Sequence, residues 1–164
     1  MSINELLLQH KPGILREWFG RIADGYPAET ASFLKKQQNQ FSNPVGHAFA
    51  EGTAALFQVL LEDGDLKTVE QPLELMLKIR AVQEVSASEA VGVIYLLKEV
   101  VRQELGEAIR QQGLWDELIK VESRIDRLAL AAFDMFMASR EKIYEIRANA
   151  VKRRYSKLTE KDSG

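Results

Sequence analysis

Apolar residues recur along this chain at intervals of three and four, and no stretch alternates convincingly with period two. That spacing predicts helices throughout, because residues three and four apart share one helix face. Ile3–Gln9 reads as a short apolar helix or turn. Pro12 opens a second helix, where its missing N–H would have had no partner anyway. Ile14, Leu15, Trp18, Phe19 and Ile22 make its inner face, and Gly25 ends it. Glu29–Lys36 continues as a short helix with Phe33 and Leu34 inward. The polar run Gln37–Pro44 breaks the pattern, with Asn43 or Ser42 placed to cap the helix Val45–Leu61. Glu62–Asp65 is a turn. Leu66–Val82 is helical with a disturbance at Pro72. Ser86 and Glu89 form a capping box ahead of a helix reaching about Ile109, and Gly113 stops it.

From Trp115 to Leu158 nothing interrupts the last helix, which at 1.5 Å per residue spans roughly 60 Å. Leu118, Val121, Ile125, Leu128, Ala132, Met135, Ser139, Ile143, Ile146 and Ala150 form a seam for helix–helix packing. The first half adds Leu130, Phe133, Phe136 and Met137 on other faces, so it is expected to lie in a core. The second half thins to Met137, Tyr144, Val151 and Leu158, seven residues apart, with Arg140, Arg147 and Arg154 at the same period beside them. This narrow stripe calls for a partner helix, so these seven residues are the expected dimer or output surface. Residues 1–138 are then a helical bundle, and 139–164 are the extended basic end of the last helix with a disordered tail.

Charge sharpens that division. The 164 residues carry a net charge of -2, yet Ala138–Lys161 holds eight basic residues against three acidic ones. The rest of the chain holds 14 basic and 21 acidic residues. A basic helix can neutralise phosphates, but Glu141 and Glu145 interrupt this one. Tyr144 and Tyr155 are too few for a stacking surface. The apolar side also lacks the Trp, Phe and Leu of a membrane-surface helix. Neither nucleic acid nor membrane is therefore the expected partner. No apolar run approaches the ~18 residues of a membrane span. The amino terminus lacks the basic start of a signal peptide. With no cysteine, disulfides, thiol catalysis and Cys-based metal sites are excluded, in keeping with a reducing cytoplasm.

Candidate chemistry is thin. The only histidines are His10 and His47. His47 and Glu51 share a helix face at i, i+4, but the paired Glu-x-x-His motifs of a carboxylate-bridged di-iron bundle are missing. A triad needs a positioned base, and none is evident. Lys78, Arg80 and Gln83 lie beside the start of the Ser86 helix, a place for an anion or simply surface residues beside a cap. Trp18, Phe33, His47, Phe49 and Phe57 are candidates for lining an apolar pocket, the alternative being that they fill the core. No cofactor and no metal are expected, and the chain does not read as an enzyme.

The stretches "ILREWFGRI", "NPVGHAFAEG", "IRAVQEVSASEAVGVIYLLKEVVRQELG" and "RIDRLALAAFDMFMASREKIYEIRANAVKRR" together resemble the N-terminal domain of RsbRD-type RsbT co-antagonists, bacterial stress-signalling proteins of the stressosome kind. The likeness runs from about Ile14 to Leu158. It implies an all-α, globin-like sensory bundle that dimerises, with a long protruding C-terminal helix. The linker helix of such proteins leads into a STAS domain that holds back a partner kinase. This chain stops at Gly164, where that domain should begin, as a stand-alone relative or a clipped piece. Globin-like does not mean haem here, since the helix that would carry a proximal histidine, Leu66–Val82, has none. Met76 on that helix reads as core. The expectation is a cytoplasmic, non-catalytic sensory or regulatory module, a homodimer with a signalling or kinase partner. The alternatives are an assembly adaptor docked on a larger complex or a small-molecule-binding non-haem globin-like protein.

Overall fold

The computed structural model describes residues 1–36, 41–64 and 70–162, and among them every regular element is an α-helix. The helices are α1 (Ile3–Gln9), α2 (Lys11–Asp24), α3 (Ala28–Lys36), α4 (Pro44–Glu62), α5 (Glu70–Val82), α6 (Ala87–Gln112) and α7 (Trp115–Asp162). Residues 37–40 of the expected polar break and 66–69 of the expected fifth helix lie outside the described residues. The caps explain most boundaries. Asn43 accepts from the Gly46 N–H at the head of α4, with Pro44 in its first turn. Ser86 and Glu89 close the capping box of α6. Gly113, at φ 66°, ends α6 in the left-handed conformation that glycine adopts without cost, and the Leu114 N–H returns to the Ile109 carbonyl. At the end of α4 the left-handed residue is Asp63, at φ 48°, rather than the Gly64 beside it.

α7 is the spine. α4, α5 and α6 all pack against its first half. α6 and α7 run antiparallel, as the Lys98–Asp126 and Arg102–Glu122 pairs at 2.6 and 2.5 Å require. Leu118, Val121, Ile125, Ala129, Ala132 and Phe136 face the core, meeting Val100, Val101, Leu105 and Ile109 of α6 there. α2 lies on the other side of α6, where the buried Trp18 indole donates to the Val93 carbonyl at 2.8 Å. α4 and α5 approach closely at Gly52, where an added Cβ would stand 2.7 Å from the Met76 sulfur and 3.0 Å from its Cβ. α1 is tied to the spine at a free helix end: the Ile3 N–H donates to the Glu117 carboxylate at 2.8 Å. Arg124 in turn donates to the Leu60 carbonyl near the end of α4, at 2.9 Å.

Phe136 is the last fully buried residue of α7, and Ile143 is half-buried. From there to Asp162 the helix overhangs the globule by roughly 30 Å. It remains one helix, without doubling back, four residues beyond Leu158. Two expectations about burial need correction. Phe33 is 53% exposed; only Leu34 of that pair turns inward. The first half of α7 is likewise not enclosed on all sides, for Leu130 is 63% and Phe133 40% exposed.

Candidate functional site

Most of the exposed apolar residues of α7 fall on one line; Ile146, 57% exposed, stands on the opposite face beside α5. Trp115, Ile119, Leu130 and Phe133 continue into Met137, Tyr144, Val151 and Leu158, stepping by sums of three and four. All are exposed except Met137, which is half-buried against the core. Glu122 and Asp126 fill the gap between Ile119 and Leu130, and both are paired to α6. α6 contributes a parallel row, Gly92, Tyr95, Arg102 and Gly106, with Tyr95 exposed. Nothing within 4 Å would meet a Cβ at Gly92 or Gly106, so among the described residues no packing calls for glycine there. The proximal half of this edge was missed from sequence because its spacing matches that of a core seam. What distinguishes the two is which neighbours α4, α5 and α6 leave uncovered.

Arg140 and Arg147 do work within the chain. Arg140 is half-buried, its guanidinium 5.1 Å from the Phe136 ring centre and 5.9 Å from that of Tyr144. It donates to the Val85 carbonyl at 2.6 Å and to the Tyr144 hydroxyl at 3.3 Å. Arg147 pairs with Glu84 at 3.2 Å. Val85 and Glu84 belong to the loop joining α5 to α6. Glu84 stands at φ 59°, a conformation costing a side-chain-bearing residue roughly 1–2 kcal/mol. On α5, just before that loop, Arg80 is buried. It donates to the Tyr26 hydroxyl at 2.6 Å and the Glu89 carbonyl at 2.9 Å, and Tyr26 donates to Gln83 at 2.6 Å. The Nε of Arg80 and that of Arg140 are both buried with no acceptor. The loop is thus a latch, strained and clasped from both sides. Arg154 and Leu158 lie farther out, exposed.

The family description "RsbT co-antagonist protein rsbRD N-terminal domain" matches residues 12–151, a span taking in the bundle from α2 onward, the latch and the near half of the overhang. The chain belongs to that family. Comparison with curated proteins and with solved structures gives no match.

In this RsbRD N-terminal domain the five residues considered for a pocket are dispersed. Trp18, Phe49 and Phe57 are fully buried core, with Phe49 6.2 Å from the Tyr26 ring. His47 is half-buried in the first turn of α4, and Phe33 faces outward from α3. Lys78, Arg80 and Gln83 do not converge on an anion. Lys78 pairs with Glu74 at 2.9 Å, and the head of α6 is filled by its own Glu89. Among the described residues no three candidate ligands come together as a metal site. No helix of those residues is long and apolar enough to cross a membrane. Hydrogen bonds from Ser2, backbone first and hydroxyl second, hold the Glu5 carboxyl below the usual carboxylate range.

Proposed function

We propose that this domain is a non-catalytic, cytoplasmic sensory module of a bacterial stress-signalling system. Two copies pair along the α6–α7 edge, and the signal leaves through the overhanging end of α7. The observation that carries this is the apolar line from Trp115 to Leu158, which among the described residues nothing covers. Most helical stability in proteins comes from packing an amphipathic face against a neighbour. A two-fold copy laid against the edge would cover it isologously. Gly92 and Gly106 favour such a contact, since they let a second backbone come close. At the proximal part of the edge the charges are already paired, Arg102 with Glu122 and Lys98 with Asp126. The relay would run through the latch: whatever repacks α5 or α6 moves residues 83–86, which hold Arg140 and Arg147.

Light scattering on the purified protein tests the pairing. A dimer is expected for the wild type. Ile119→Lys with Leu130→Lys, or Tyr144→Lys with Val151→Lys, should give monomers of unchanged helix content. A wild type that stays monomeric at tens of micromolar refutes the reading. The eight basic residues against three acidic ones at the distal end favour an acidic docking surface on the downstream signalling protein or kinase.

A further inference from the structure

A groove of about 670 Å³ opens between α2, α3 and α4, well away from the α6–α7 edge. That volume is within the ~300–1,000 Å³ of small-molecule sites. Its apolar wall is Leu15, Phe19 and Ala50. Arg16 and Lys35 also line it, and among the described residues no carboxylate does. Lys35 reaches Asp24 at 2.5 Å, whereas Arg16 has no carboxylate partner among the described residues. Gly20 lies one turn after Arg16 on the same face of α2. It sits in a helix interior, where glycine is unfavourable. Yet a Cβ there would meet nothing within 4 Å, and no positive φ demands glycine. Among the described residues the missing side chain serves no packing. What it does is keep the groove open.

From the apolar wall, the two cations and the vacant position at Gly20 we infer that this groove binds an amphipathic carboxylate, a medium-chain fatty acid. The tail would lie against Leu15, Phe19 and Ala50, and the head group would meet Arg16 and Lys35. This holds whether or not the domain dimerises or signals. Sodium decanoate, kept below its micelle concentration, is the probe, followed by isothermal titration calorimetry. One saturable site is expected, with butyrate, the same head without the tail, bound at least about tenfold more weakly. Arg16→Gln, an exposed change that leaves the core alone, should weaken decanoate about tenfold, the scale of one charged contact. Gly20→Leu should abolish binding while raising or preserving the melting temperature. Absence of saturable decanoate binding overturns the inference. So does a folded Gly20→Leu protein that binds as well as the wild type, or butyrate binding equal to that of decanoate.

Discussion

Replacing Arg140 by methionine keeps the unbranched stem against Phe136 and Tyr144 but removes the guanidinium from the latch. The loss can be worked from the contacts. A charged donor to the Val85 carbonyl at 2.6 Å is worth about 1.5–3 kcal/mol. Two aromatic faces, at 5.1 and 5.9 Å, add about 0.5–1 kcal/mol each. Against this, methionine relieves the buried Nε that has no acceptor, a gain of about 1–3 kcal/mol. The net is a destabilisation of about 1–2 kcal/mol, or about 2–8 °C in melting temperature for a domain of this size. The effect should be local before it is global. Glu84 is held in a strained conformation, so an unclasped loop opens rather than settling in place. Hydrogen exchange should therefore quicken at residues 83–86 by roughly 5–30-fold. Amides around Val121 and Ile125, deep in the core, should keep their rates. If exchange in the loop is unchanged, or quickens equally everywhere, Arg140 does not hold the loop and the relay proposed through it fails.

The same mutation at two glycines should give opposite signs. Gly52→Ala drives a Cβ into Met76, whose sulfur can swing away but whose own Cβ, 3.0 Å off, cannot; a cost of about 1–2 kcal/mol is expected in urea unfolding. Gly20→Ala, facing open space, should instead stabilise by about 0.5–1 kcal/mol, and equal shifts at the two sites would undo the packing argument. The Ser2–Glu5 box adds a pH dependence. Because folding lowers the Glu5 pKa, its contribution is complete above the unfolded value and is lost as pH falls through the folded one. Wild type and Glu5→Gln should thus differ most above the carboxylate range and converge in acid, as read by melting temperature against pH.

The elements themselves were legible because their signals are local. Asn43 before Pro44, Ser86 with Glu89, and Gly113 each act within a few residues of the boundary they set. The uninterrupted α7 followed from the lack of any glycine or proline after Leu114 until Gly164. The Ser2–Glu5 box was equally local and readable, but it sits before a helix so short that apolar spacing alone described it. The candidate site was half legible. The distal stripe showed because polar residues flank it. Its proximal continuation was hidden, since Leu130 and Phe133 look like core until the packing of α6 is known. The latch could not be read at all: Arg140 and Val85 are 55 residues apart, and Glu84 has a side chain that carries no hint of a left-handed backbone. Phe33 was placed inward by hydrophobicity alone, though one exposed aromatic is ordinary on a surface.

The spine has no hinge. Between Trp115 and Asp162 there is no glycine or proline at which it could kink. The buried half and the free half must then turn together, like the two ends of a key. Under the proposed relay, a rotation that unseats Phe136 would swing Leu158 with it, and a neighbour gripping the far end would act back on the core.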